Sequence, residues 1–327
     1  MKTALAAGLL LAAATPLLGA DDAPLKVQNK GAMTGASRIA IGAFNVGFIF
    51  ESVDQTKATG GLMGAFGGAT KAKSSLVGVT PAMMQQIADA AYADFTGQLQ
   101  ARGLAVADPA AVFGDPAMAR AKGDAGPAEI NITLEKGSKG KATFYKPTAL
   151  PVQLMLAGDF LGSGMSSIGR NMQAGQNSAA VATFAKNTGT PVVDVVYLID
   201  FSDQKRPGAF SFSGIKVNAN LSVAANFSKM SVVGANGRQN SVTFAKPVAV
   251  EGDFIEMADA TSGVGRATQT AANIAGGLAA VAGLGGLRFG KTREFTFTAK
   301  PGNYEGGAGK AASLANQQLV AQLVAQR

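Results

Sequence analysis

The sequence predicts an α+β protein in which a mixed or antiparallel sheet packs against two or three helices and carries long β-hairpins and glycine-rich connectors. Three observations predict this class. Segments 38–52 and 191–203 are rich in β-branched and aromatic residues, which is typical of strands. Residues 80–103 have the three-and-four apolar spacing of a helix. From Ala209 onward, long stretches alternate between apolar and polar residues, as paired strands do.

The N-terminal residues predict a secretory signal peptide over 1–20. Lys2 precedes an uncharged apolar run that ends in the small pair Gly19 and Ala20. An N-terminal membrane anchor is the alternative, but the run is shorter than the ~20 residues that cross a bilayer. We therefore expect cleavage after Ala20 and export to the periplasm or outer membrane. Because the chain has no cysteine, it has no site for the lipid anchor of a lipoprotein and no disulfide.

The mature chain is expected to form a single α/β envelope domain over residues 38–306. A polar lead-in at 21–37 precedes it, and a C-terminal helix at 307–327 follows it. Two glycine-rich insertions, 58–78 and 157–176, are expected to interrupt the domain. Since the first insertion mixes glycine with phenylalanine and methionine, its sequence predicts a loop or a segment that orders only against a partner.

The clearest helix begins after Thr80, which is a suitable N-cap, with Pro81 at the first helical position and Gly103 just beyond the end. One face of this helix is predicted to be buried; it carries Met84, Ile87, Ala88, Ala91, Phe95 and Leu99.

Further elements follow along the chain. Residues 129–137 and 141–147 predict a hairpin, and 177–189 predict a helix. The apolar segment 191–203 does not alternate cleanly, which favours a central strand buried on both faces. Residues 234–237 predict a hairpin tip between the long strands.

The composition excludes several chemistries. Without histidine or cysteine there is no Ser-His-Asp triad, no thiol nucleophile and no imidazole metal site. We therefore expect no enzyme activity, no cofactor and no metal. The net charge of +8 suits an anionic envelope polymer or membrane, whereas no block of basic residues interleaved with aromatics indicates nucleic-acid binding.

Residues 285–292 match the phosphate-loop pattern through Gly285, Gly290, Lys291 and Thr292. Such a loop joins a strand to the N-terminus of a helix. Here a helix-like stretch precedes the glycines and a strand-like one follows them, which is the reverse order. We interpret the match as spurious. A permuted nucleotide-binding protein is the remote alternative, because the apolar segment 195–200 ends in Asp200 as the accompanying magnesium strand does.

The uncharged stretch 267–287 predicts a packed helix. Small residues recur at every fourth position, which allows two backbones to approach closely. A flexible loop is the alternative, and a membrane span is disfavoured because 271–287 reaches only about 25 Å as a helix. The candidate interface, within or between subunits, comprises Ala272, Gly276, Ala280 and Gly283.

The order of elements resembles the periplasmic α/β module of the curli secretion channel subunit family and of the amino-terminal domain of the Tol-associated periplasmic β-propeller protein. "RIAIGAFNVGF", the helix after Thr80 and "FAKNTGTPVVDVVYLIDF" carry this resemblance. In the channel family, connectors extend into membrane-crossing hairpins, which implicates 58–78 and 209–250 here. Those subunits are lipoproteins anchored by a cysteine, and this chain departs from them in having none.

These observations predict a non-catalytic exported envelope protein, an oligomeric component of an assembly or secretion apparatus. Its expected partners are further copies of itself and the outer membrane or an anionic envelope polymer. The alternative is a soluble periplasmic binding or scaffold protein.

Overall fold

The structure, a computed structural model, describes residues 23–57, 69–133, 139–159, 162, 167–205, 216–261 and 290–327. The protein is α+β with a mixed sheet, as the sequence predicts. The sheet is open, and helices lie on both of its faces. The strands are β1 (Leu25–Gln28), β2 (Arg38–Lys57), β3 (Ala69–Val77), β4 (Ala105–Val106), β5 (Ala128–Ile132), β6 (Lys139–Tyr145), β7 (Val192–Lys205), β8 (Lys216–Val223), β9 (Lys229–Val233), β10 (Gln239–Phe244), β11 (Val248–Val250), β12 (Ile255–Asp259) and β13 (Gly290–Ala299).

Strand β2 is the centre of the sheet, whose main order is β1-β10-β9-β7-β2-β3-β13-β12. Its first part pairs with β7 in parallel, and its last part pairs with β3 in antiparallel orientation. Strands β6 and then β5 extend the other edge of β2, while β8 and β11 extend the edge of β7. The predicted central strand is confirmed: β7 lies between β2 and β9, and residues 192–199 are buried.

The two ends of the sheet differ in the elements that lie there. The proximal end holds Arg38, where β2 begins beside β4 and Val192 of β7 lies close by. The distal end holds Lys57, where β2 ends opposite Ala69 of β3.

The described helices are α1 (Pro81–Ala101), α2 (Pro109–Phe113), α3 (Ser167–Thr188), α4 (Asn303–Val324) and a 3-10 turn (Met118–Arg120). α1 and α4 pack together on one face of the sheet, and α3 and the 3-10 turn lie on the other. α1 ends beside β4 and α3 ends just before β7, while Arg327 after α4 donates to the carbonyl of Ala36 at 2.9 Å. The three long helices therefore run towards the proximal end.

The predicted cap and buried face of α1 are confirmed. The Thr80 hydroxyl accepts a hydrogen bond from the Met83 N–H at 3.3 Å, and Gly103 has a φ of +74°. This positive φ favours glycine because a Cβ is disfavoured there. All six predicted face residues are buried, and Phe95 packs against Phe44 of β2 with ring centroids 5.6 Å apart. The capping residues and the buried face therefore belong to the same helix that the sequence predicts.

Several predicted boundaries were wrong. Residues 69–77 of the first insertion form β3, which pairs on both edges, and residues 167–176 of the second insertion belong to α3. The lead-in contains β1, in which Leu25 is opposite Phe244. The C-terminal helix starts at Asn303 instead of 307, because Glu305 accepts a hydrogen bond from the Gly302 N–H at 2.7 Å and caps the first turn.

The long strands predicted after Ala209 are interrupted. β8 and β9 follow one another along the edge of β7, and the chain turns between them at Asn226, whose φ is +65°. The Ser228 hydroxyl there accepts a hydrogen bond from the Leu198 N–H at 3.0 Å. Likewise β10 ends at Phe244, before Pro247, which has no N–H to continue a ladder. The predicted hairpins β5–β6 and β9–β10 are confirmed.

Candidate functional site

The residues that match the phosphate loop lie partly in a strand. Gly290, Lys291 and Thr292 begin β13, where they pair in parallel with β3. Their backbone is extended, whereas a phosphate loop wraps its N–H groups around the anion at a helix start. Gly285 lies outside the described residues. So does the predicted helix interface of Ala272, Gly276, Ala280 and Gly283.

Six strand ends lie together at the distal end of the sheet. The last residues of β2 pair with the first residues of β3, and the last residues of β7, which runs parallel to β2, pair with the first residues of β8. β6 begins opposite Val53 near the end of β2, and β13 begins opposite the first residue of β3. Strand register therefore brings six strand ends from separate parts of the sequence to one end of the sheet.

Lysines occupy the strand termini at this end. Each of six lysines is within the first or last three residues of its strand at the distal end. We name these lysines the basic rim: Lys57, Lys71, Lys139, Lys205, Lys216 and Lys291. The side chains of Lys71 and Lys139 are exposed. Strand register thus places six lysine positions at one end of the sheet, a grouping that sequence order does not reveal.

Two carboxylates near the rim pair with cations, and a third accepts a hydrogen bond from a hydroxyl group. Glu294 accepts a hydrogen bond from the Lys73 ammonium at 3.0 Å, and Asp259 accepts one from Arg293 at 2.7 Å. Asp54 is buried, and its carboxylate accepts a hydrogen bond from the Ser52 hydroxyl at 2.7 Å.

A second polar cluster is buried between the sheet and α3. Asp194 of β7 is 2% exposed, and it faces Asp159, whose side chain is fully buried. The Lys229 ammonium of β9 lies 2.9 Å from an oxygen of Asp159. This contact is an ion pair whose angles are not those of a hydrogen bond. We call these three residues the acid–lysine cluster.

The cluster holds the segment 154–159 against the sheet. The other Asp159 oxygen accepts a hydrogen bond from the Leu156 N–H at 2.7 Å. The Asn45 amide donates to the Leu154 carbonyl at 2.7 Å, while its own carbonyl oxygen is buried without a partner among the described residues. Asn177 of α3 donates to the Met155 carbonyl at 3.0 Å. Polar side chains from β2 and α3 thus fix one short segment over Asp194.

Asp194 is expected to be protonated in the folded protein. Burial raises the pKa of this carboxyl well above its ordinary range, the negative charge of Asp159 raises it further, and the positive charge of Lys229 opposes the shift. With both acids ionised, neither Asp194 oxygen has a hydrogen-bond donor within the described residues. A proton on Asp194 supplies a donor to Asp159. The arrangement is one carboxylate, one carboxylic acid and one ammonium.

Sequence reasoning missed the acid–lysine cluster, although one signal was present. Asp194 interrupts the apolar run "VVDVVYLI", and a carboxyl in a buried strand requires a partner. Asp159 lies 35 residues before Asp194, on a connecting segment, and Lys229 lies 35 residues after it, on another strand. Nothing in their local sequence links them to Asp194.

Two further observations concern metal binding and membrane-spanning helices among the described residues. They contain no group of three or more His, Cys, Asp or Glu side chains placed to hold a metal ion. Among the helices described, none combines the length and apolar character needed to span a bilayer.

Comparison of the chain with protein-family models, with curated proteins and with solved structures found no match.

Proposed function

We propose that this protein is an exported, non-catalytic component of the cell envelope that works as an oligomer in an assembly or secretion apparatus. The observation that carries the proposal is the gathering of six strand ends at the distal end of one sheet, where Lys71 and Lys139 are exposed. At the proximal end, the three long helices end and pack within the domain.

The composition of the chain also supports a contact role. Residues 58–68, 207–215 and 267–287 contain no charged side chain and are rich in glycine, alanine and larger apolar residues. Apolar glycine-rich sequence of this kind is typical of segments that order against a partner. A catalytic role would instead require reactive groups at an accessible place, and the acid–lysine cluster is buried.

The soluble periplasmic binding or scaffold protein is the second candidate. In the proximal half, helices cover both faces of the sheet, and a sheet covered in this way is a complete domain by itself. This observation favours the scaffold candidate. The two candidates differ in the state of the purified protein: the first requires a stable assembly of several copies.

The test is the mass of the particle formed by the full chain, measured by light scattering after gel filtration in mild detergent. We expect a multiple of the single-chain mass. Gly276→Leu is expected to lower this mass if the small-residue stripe lies between subunits, because overpacking of such a contact typically costs ~1–3 kcal/mol.

Gly277→Ala is the matched control, since it adds one methyl group on a neighbouring line of the predicted helix and is expected to leave the mass unchanged. A wild-type particle with the mass of one chain, in detergent and in buffer alike, would contradict the assembly proposal and favour the scaffold.

A further inference from the structure

We propose that the acid–lysine cluster is a self-modification site, at which Lys229 and Asp159 condense into an amide bond with the loss of one water molecule. The inference goes beyond the proposed function and does not depend on it. The Lys229 Nζ atom lies 2.9 Å from Oδ1 of Asp159. Because a carbon–oxygen bond is ~1.2 Å long, Nζ is at most about 4.1 Å from the carboxyl carbon Cγ. A shift of about 1 Å or less therefore reaches the ~3–3.5 Å at which a nucleophile attacks.

Burial favours the condensation. The side chains of Lys229 and Asp159 are 12% and 0% exposed, so both charged groups have lost most of their hydration. This loss offsets much of the attraction between the two charges. An amide carries no charge, so its formation removes the desolvation cost, and the exclusion of bulk water protects the new bond from hydrolysis. The reaction needs no accessible place, because both reacting groups belong to the chain.

The structure holds Asp159 in position as the electrophile. Its Oδ2 atom accepts a hydrogen bond from the Leu156 N–H at 2.7 Å. A fixed backbone donor of this kind stabilises the negative charge that develops on the oxygen during attack. Gly158 leaves room for the amine, since a Cβ at this position would lie only 3.3 Å from Lys229 Nζ.

Asp194 is placed to carry protons between the reacting groups. With both acids ionised, Oδ1 of Asp159 has no hydrogen-bond donor within the described residues, and a protonated Asp194 supplies one. Burial and the negative charge of Asp159 both raise the pKa of Asp194, which keeps its proton where the leaving oxygen requires one. A carboxyl group that gives and accepts protons beside the reacting atoms acts as a general acid and base.

The condensation is redox-neutral and needs no co-reactant. A proton moves from the Lys229 ammonium to Oδ1 of Asp159, and the amine lone pair then forms a bond to Cγ while the π electrons of the carbonyl move onto Oδ2. Asp194 donates its proton to Oδ1 and takes one from the nitrogen. The Cγ–Oδ1 bond breaks, Oδ1 leaves as water, and Oδ2 becomes the carbonyl oxygen of the amide. Asp194 ends protonated, as it began.

The bond gives a chain without cysteine a covalent link within its core. It joins the segment before α3 to β9 and closes a loop that contains α3, β7 and β8. A closed loop limits the freedom of the unfolded chain, as a disulfide does. Chains that retain the ion pair keep the full mass, and the stability predictions for this pair apply to them.

The experiment is mass spectrometry of the full chain after denaturation and tryptic digestion. We expect trypsin to leave the chain uncut after Lys229 and to release a branched peptide that carries both Lys229 and Asp159. This peptide should be lighter by one water molecule than its two linear parts together. Lys73 and Glu294 are the internal control, because they are 3.0 Å apart but half-exposed, and we expect no branched peptide from them.

Two variants separate the bond from the fold. Lys229→Arg keeps a cation beside Asp159, but its guanidinium stays protonated and does not attack. Asp194→Asn keeps the shape of the acid and cannot carry protons. We expect both variants to retain the wild-type circular dichroism spectrum and to yield only linear peptides. Linear peptides alone from the folded wild type would overturn the inference, and so would an equal yield of branched peptide from Asp194→Asn.

Discussion

Two ion pairs of similar length lie in different halves of the molecule. Lys229 and Asp159, beneath α3, are 2.9 Å apart with side chains 12% and 0% exposed. Lys73 and Glu294, below the basic rim, are 3.0 Å apart with side chains 54% and 50% exposed. A surface pair contributes little to stability, whereas removal of one partner from a buried pair leaves an uncompensated charge. The buried pair in the proximal half is therefore structural, whereas the exposed pair in the distal half contributes little to stability.

The largest expected effect comes from breaking the buried pair. Lys229→Met leaves Asp159 buried beside Asp194 without a cation, and it should lower the free energy of unfolding by roughly 3–5 kcal/mol. Lys73→Met, the matched change in the distal half, should cost no more than about 1 kcal/mol. Urea unfolding followed by circular dichroism measures both. Equal losses for the two variants would show that the halves do not differ as described.

A smaller effect concerns pH. In the unfolded chain Asp194 titrates near pH ~3.9, and in the folded protein its pKa is well above that value, mainly because of burial. Between these two pKa values the folded state binds more protons. The stability associated with protonated Asp194 is thus fully present below pH ~4 and is lost as the pH rises through the folded pKa, at up to about 1.4 kcal/mol per pH unit.

Asp194→Asn isolates this contribution, because the amide has the shape of the protonated acid and donates a hydrogen bond to Asp159 without titrating. We expect the variant to be more stable than wild type at neutral pH and to show a shallower decline of melting temperature with rising pH. A wild-type profile that rises between pH 4 and 7 alongside an unchanged variant profile would contradict the protonated Asp194.

The local sequence was sufficient to predict those elements that contain their own capping and periodicity signals. α1 has a cap, an N-terminal proline and a consistent apolar face, and it was predicted nearly to the residue. β3 was missed because two of its buried positions, Ala72 and Ser74, are small residues that conceal the alternation with exposed Lys71 and Lys73, and only Leu76 is a large buried residue. Only its two neighbouring strands satisfy its backbone and make it a strand.

α3 was predicted too short for a related reason. Gly169 and Gly175 each disfavour a helix by ~1 kcal/mol relative to alanine. Contacts distant in sequence offset this cost: Arg170 donates to the Glu129 carbonyl at 3.0 Å, and Ala174 is buried. Both candidate sites also depend on such distant contacts, since register assembles the basic rim from six strands and packing assembles the acid–lysine cluster from three segments. The sequence showed the residues but not their proximity.

The most direct test of the central claim, that the distal end is the contact end of the molecule, is lysine acylation read by mass spectrometry in the assembled particle and in single chains. Lys71 and Lys139 of the rim and Lys26 and Lys30 near β1 are all exposed in the single chain. The account predicts that assembly slows the labelling of Lys71 and Lys139 and leaves that of Lys26 and Lys30 unchanged. Equal protection of all four lysines, or protection of Lys26 and Lys30 alone, would contradict it.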